Sequence, residues 1–189
     1  MPTTQTMRRK LAPPGSIKAD RAGTFRAYPS TFTRQPDSYG DVVHRHAFDA
    51  TLQRWRESGN TIPGLFGHRM DDPAMFVAGA DDYGTDKTGW WVSGTFDLDN
   101  PVAEQVHRLV LSKRVTQLSF AFTTQEEGPV TLADGTKANE LRAVNVHEFS
   151  FVPVGANPTT FVESVKTARD IREIRTAELE LRLRLARMR

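Results

Sequence analysis

Leu118-Ser119-Phe120-Ala121-Phe122 alternates bulky apolar side chains with small ones. Successive side chains of an extended chain point to opposite faces, so Leu118, Phe120 and Phe122 share one face and Ser119 and Ala121 the other. A second stretch, Val144-Asn145-Val146-His147-Glu148-Phe149-Ser150-Phe151-Val152, has the same period. Strict alternation there groups Asn145, His147, Phe149 and Phe151 against Val144, Val146, Glu148, Ser150 and Val152. Both segments read as strands.

Working outward, Val115 to Phe122 reads as one strand and Leu141 to Val152 as another, stopped by Pro153 through Pro158. Between them, Glu126, Glu127, Gly128, Pro129 and Gly135 read as a loop. Towards the N-terminus, Phe25, Ala27 and Phe32 alternate with polar residues from near Thr24, as in a half-buried strand. Pro36-Asp37-Ser38-Tyr39-Gly40 is a turn cluster. Residues 47–58 carry Ala47, Phe48, Leu52 and Trp55 at helical spacing, closed by Gly59-Asn60. Ile62 to Gly67 suits a buried strand. Residues 75–80 and 89–98 read as two more, with Asp81, Asp82, Gly84 and Asp86 as a polar loop between them. Asn100-Pro101 opens a second helix that runs through Leu111. The pattern predicts an α+β fold, a mostly antiparallel β-barrel-like sheet flanked by helices.

At 189 residues and 38% hydrophobic, the chain suffices for one sizeable core. It has no cysteine, which excludes disulfides, thiolate metal sites and a thiol nucleophile. No apolar run approaches the roughly 20 residues of a membrane span, and no long apolar stretch follows Arg8-Arg9-Lys10, so a soluble, intracellular chain is expected. The net charge of +2 is unevenly spread. Residues 1–26 carry six basic residues and one acidic, and residues 163–189 eight and five, leaving the interval 27–162 at −6. An acidic body with two basic ends is the pattern of a domain with appendages, and nucleic acid is not the expected partner. Residues 1–22, rich in proline and charge without hydrophobic period, are read as a disordered basic arm. The body spans 23–163, and 164–189 forms a charged tail. There Ile171, Ile174, Leu181, Leu185 and Met188 fall near heptad spacing, predicting a C-terminal helix, either a solvated appendage or a surface for self-association.

Few residues carry chemistry. His44-Arg45-His46 lacks a third ligand at a recognisable spacing, so no metal and no cofactor are expected. His107, between Gln105, Val106 and Arg108 on the second helix, is expected to be exposed. His68 follows Leu65-Phe66-Gly67 and precedes Arg69-Met70-Asp71-Asp72, where a buried strand opens into a polar loop. Such strand ends commonly hold site residues, although a histidine satisfied by backbone is the commoner case at such a position. Ser119 is either a serine on a polar sheet face or a hydroxyl that a small neighbour leaves approachable. Glu148 lies in an apolar strand and needs a partner, because an unpaired buried charge is costly. Spacing leaves that partner open between a histidine and an arginine such as Arg142.

These segments, taken in order, resemble the tailed-bacteriophage prohead protease family, whose fold is related to herpesvirus assemblin. The resemblance covers residues 24–163. It rests on Pro36-Asp37-Ser38-Tyr39-Gly40-Asp41-Val42-Val43, Ala47-Phe48, Leu65-Phe66-Gly67-His68 and Gln117 to Phe122, then on His147 to Pro153 and Ala156-Asn157-Pro158. The resemblance implies a serine endopeptidase with His68 as general base, Ser119 as nucleophile and Glu148 as third member. The herpesvirus enzymes place a second histidine in that third role, which makes His147 the alternative. It further implies a capsid or scaffold precursor as substrate, self-cleavage, and a location in the host cytoplasm inside assembling proheads. One departure stands out: the family usually has glycine two residues after the serine, where this chain has Ala121. The rival expectation is an inactive scaffold-associated relative or a nucleic-acid-binding accessory protein of the capsid.

Overall fold

The computed structural model describes residues 8–11 and 23–153. In chain order the elements are β1 (Arg8–Leu11), β2 (Thr24–Thr31), β3 (Asp41–Val43), α1 (Asp49–Ser58), β4 (Ile62–Phe66), β5 (Phe76–Thr85), β6 (Gly89–Phe96), α2 (Pro101–Leu111), β7 (Gln117–Thr131) and β8 (Lys137–Val152). The strands make one sheet in the order β1-β7-β8-β4-β5-β6-β2, with β3 also on β8. Only β3 and β4 run parallel to β8, and every other pairing is antiparallel. The sheet curls into a half-barrel with two helices, the expected α+β architecture.

The β7–β8 hairpin is the spine. One edge of β8 is shared: β3 pairs with Asn139 to Leu141 and β4 with Phe149 to Phe151. In the interval between them, α1 and the turn leading into it satisfy the backbone. Val144 N–H donates to Ala47 O (3.0 Å) and Val146 N–H to Thr51 Oγ1 (3.1 Å), while Val146 O accepts from Trp55 Nε1 (3.1 Å). Buried backbone groups left unpaired here would each be costly, so α1 completes the sheet as well as covering it. Gly59 ends α1 at φ 67°, a conformation glycine reaches without steric cost. Asn100 caps α2 by accepting from Val102 N–H, with Pro101 in the first turn.

The core is rich in aromatic residues. Phe25, Phe48, Trp90, Phe120, Phe122, Phe149 and Phe151 are fully buried. Phe25 sits 5.2 Å from Phe96 and 5.5 Å from Phe151, and Trp90 stands edge-on to Phe120 at 5.6 Å. Each such side chain contributes roughly 1.5–3 kcal/mol through burial. Close strand approach adds a demand at Gly94 on β6, where a Cβ would collide with the carbonyl of Gly79 on β5.

Several segments differ from the alternation read in the sequence. Phe149 and Phe151 reach the core together with Val144 and Val146, although strict alternation opposes them. Ala121 pairs with Glu148 and Phe122 with Val146, so His147 is an extra residue on β8 and parity changes there. The polar stretch after Ala80 belongs to β5: Asp81 is likewise extra between Ala80↔Gly94 and Asp82↔Ser93, and the turn comes later, at residues 86–88. Residues 126–131 are strand rather than loop, because β7 continues with further register shifts to a turn at 132–136. Arg8–Leu11, inside the segment read as an irregular arm, form a strand, because the backbone edge of β7 supplies the pairing that side-chain period does not announce. The helix expected in 164–189 lies outside the described residues.

Candidate active site

β4 lies parallel to β8 with Leu65 beside Ser150 and Phe66 beside Phe151. The chain leaves the sheet at Gly67, whose N–H donates to Phe151 O at 3.0 Å. Gly67 and His68 both adopt left-handed backbone, φ 66° and 61°. That conformation is free for glycine and costs a side-chain-bearing residue about 1–2 kcal/mol, though histidine visits it more often than most. The double turn folds His68 back over β8. Its backbone N–H donates to Ser150 Oγ (3.1 Å), and its ring Nδ1 lies 2.6 Å from Glu148 Oε1.

Glu148 is 1% exposed and Ser150 is fully buried. The Ser150 hydroxyl donates to Glu148 Oε2, so each carboxylate oxygen has a partner. Two donors are what a carboxylate at this depth requires. With Nδ1–H given to Glu148, a neutral imidazole carries its lone pair on Nε2, the arrangement a general base needs.

Ser119 enters from the neighbouring strand. It pairs directly with Ser150 across β7–β8, as Ala121 does with Glu148. Residues directly opposite in an antiparallel pair have Cβ atoms about 4.5–5.5 Å apart on the same face. Ser119, Ser150, Glu148 and the His68 ring therefore gather on one face of the sheet, while Leu118 and Phe120 fill the core on the other. Ser119 is 1% exposed and His68 9%. The Ala121 methyl lies across from the carboxylate rather than across from Ser150.

The other candidates lie elsewhere. His147, the bulged residue, lines a pocket of about 280 Å³ with Thr51, Arg54, Trp55 and Asn145. Its Nε2 has no hydrogen-bond partner among the described residues. Burial lowers its pKa, against the opposing pull of the Glu148 charge. Contact to His68 thus comes from Glu148. Arg142 is engaged with Glu140, at 3.3 Å. His44 and His46 have ring centroids 5.5 Å apart, and His46 Nδ1 meets Asp49 Oδ2 at 2.9 Å on the exposed surface. Among the described residues no group of three or more His, Asp or Glu could hold a metal ion. His107, expected to be exposed, is half-buried and packs on Phe96 at 5.2 Å, because α2 lies against the end of β6. Ser150 was passed over in the sequence, although its place two residues from Glu148 on the same face was the available signal.

Ser119, a strand-end histidine and a buried carboxylate share one face of a curled sheet, an arrangement compatible with serine-protease chemistry. The caudovirus prohead serine protease family matches over residues 13–175, and the chain belongs to that family. Its fold is similar to that in the structure of the bacteriophage T4 capsid assembly protease, gp21. The TM-score is 0.59 at 6% identity, over 78% of this chain and 97% of that one. No protein of curated function matches it in sequence.

Proposed function

We propose that this protein is an endopeptidase that cleaves the scaffold or major capsid protein precursor inside the immature shell, and cleaves itself at its basic ends. Ser119 Oγ attacks the scissile carbonyl while His68 Nε2 takes its proton, giving a tetrahedral intermediate. Glu148 holds the ring in the right tautomer and stabilises the imidazolium. The imidazolium then protonates the leaving amine, the C–N bond breaks, and an acyl-enzyme remains. Water, deprotonated by the same ring, hydrolyses the ester and returns the proton to Ser119.

The observation that carries this proposal is the Glu148 carboxylate held between His68 Nδ1 and Ser150 Oγ on the face that Ser119 shares. A carboxylate buried at this depth is a poor choice for stability alone, because desolvation offsets most of what its hydrogen bonds return. The rival is an inactive relative blocked by the Ala121 methyl, which shares the face of Ser119. Incubating wild type and Ser119→Ala with the capsid precursor separates the two. Precursor loss with wild type alone supports the protease, and equal survival supports the inactive relative. Intact termini by mass spectrometry, in protein that cleaves precursor, would remove self-cleavage.

A further inference from the structure

Where β8 passes between its two parallel partners, α1 lies along it and presents Thr51, Arg54, Trp55 and Ser58 at helical spacing. With Asn145 and His147 these residues line the pocket of about 280 Å³. The acceptors in it are already used. Thr51 Oγ1 accepts from Val146 N–H, and Asn145 Oδ1 accepts from Arg54 Nη2 at 2.9 Å. Ser58 Oγ donates to Trp55 O (2.8 Å) and accepts from Asn60 N–H (3.1 Å). What is left is donor capacity. A guanidinium has five N–H donors, and among the described residues Arg54 meets no carboxylate. His147 Nε2 lacks a hydrogen-bond partner among the same residues.

We propose that this pocket is a subsite for an acidic side chain of the substrate, held by Arg54 and His147 three to four residues from the scissile bond. The proposal rests on the protease reading above, with Ser119 as the nucleophile. The chemistry favours an anion, because a guanidinium pairs with a carboxylate through two parallel N–H bonds and an imidazole protonated on Nε2 adds a third donor. Carboxylates are plentiful in an interval, 27–162, that carries −6, yet among the described residues none reaches Arg54. Size favours a side chain. The volume of about 280 Å³ lies below the roughly 300–1,000 Å³ of sites that enclose whole small molecules. Position favours the substrate chain as its source. Asn145 stands opposite Thr123 on β7, four residues from Ser119 and on the same face. At about 3.4 Å per residue that separation is roughly 14 Å, and His147, nearer along β8, shortens it. An extended peptide with its carbonyl at Ser119 covers the span in about three to four residues.

The test begins by mapping, through N-terminal sequencing of fragments, the bond that the full-length protein cleaves in the capsid precursor. A synthetic peptide spanning that bond is then compared with one whose Asp or Glu, three to four residues away, is replaced by Asn or Gln. Wild type should cleave the acidic peptide with a KM about tenfold lower, the size expected of one charge-assisted contact. Arg54→Ala should shrink that ratio to about twofold or less by raising KM on the acidic peptide, with kcat little changed, as loss of uniform binding requires. His147→Leu should lose part of the ratio. Arg54→Glu should prefer a peptide with lysine at the same position. No acidic residue within that distance of the bond, an undiminished ratio in Arg54→Ala, or an equal loss on both peptides would each overturn the subsite, with cleavage itself leaving the proposed protease standing. An uncleaved precursor together with no fluorophosphonate label on Ser119 would instead remove the protease, and the subsite with it.

Discussion

His68 Nδ1 lies 2.6 Å from Glu148 Oε1, and the carboxylate's other oxygen accepts from Ser150. The pair joins a loop just beyond β4 to the C-terminal part of β8, residues 80 positions apart in the chain. It is shielded from water, with Glu148 only 1% exposed. Each partner thus fixes the other's orientation, and losing either leaves a buried polar group unsatisfied.

Glu148→Gln keeps the shape and removes the charge. The amide can present its N–H₂ to His68 or to Ser150 and loses the anion that stabilises an imidazolium. The expected outcome is a fall in kcat of about 10³- to 10⁴-fold with KM little changed, measured on a cleavable precursor. Glu148→Ala should in addition destabilise the fold by about 3 kcal/mol in urea unfolding, because it strands both donors.

Ser150→Ala tests the positioning role of the second hydroxyl. The alanine removes a donor to Glu148 and the acceptor of the His68 backbone N–H. A hydrogen bond to a charged group is worth about 1.5–3 kcal/mol, which corresponds to a loss in kcat of roughly ten- to hundredfold. KM should stay near the wild-type value, and Ser150→Thr should restore part of the rate. A KM effect with unchanged kcat would contradict the role.

Gly94→Ala probes the sheet far from the chemistry. The added methyl meets the backbone of Gly79 and Ala80 on β5, where no side chain can yield. Thermal or urea unfolding should show a loss of about 1–3 kcal/mol or more, with normal chemistry in the molecules that remain folded.

His107 introduces a pH dependence of stability. Burial against Phe96 lowers its pKa from the ordinary 6.5, with Glu104 opposing the shift. The unfolded chain therefore takes up a proton at higher pH than the folded one. The sign follows: stability is complete above the unfolded value and declines as pH falls towards and through the folded value. His147, also lowered by burial, acts in the same direction. Urea unfolding from about pH 7 to pH 5 should show a shallower loss in His107→Phe than in wild type, since phenylalanine does not titrate.

Much of this was legible in the sequence. Leu118 to Phe122 sorts correctly by alternation because the extra residue opposite it, His147, sits on β8 and not in that run. The helices were visible through their punctuation, Gly59 after α1 and Asn100-Pro101 before α2. Bulges were the main failure. One extra residue at His147 reverses parity, and one at Asp81 disguises a strand as a loop, with no side-chain pattern to announce either. Ordered motifs pointed to His68, Ser119 and Glu148. The left-handed turn at Gly67-His68 that brings the ring to Glu148 depends on β4 lying beside β8, a pairing between segments more than 80 residues apart.

The central claim is that Ser119 is made nucleophilic by His68. It is tested most directly by treating full-length wild type and His68→Ala with a fluorophosphonate and locating the adduct by peptide mass spectrometry. The expected result is a single adduct on Ser119 in wild type, formed at a rate that falls by roughly 10³-fold or more when the imidazole is removed. Equal labelling of Ser119 in both proteins, or an adduct on another hydroxyl alone, would contradict it.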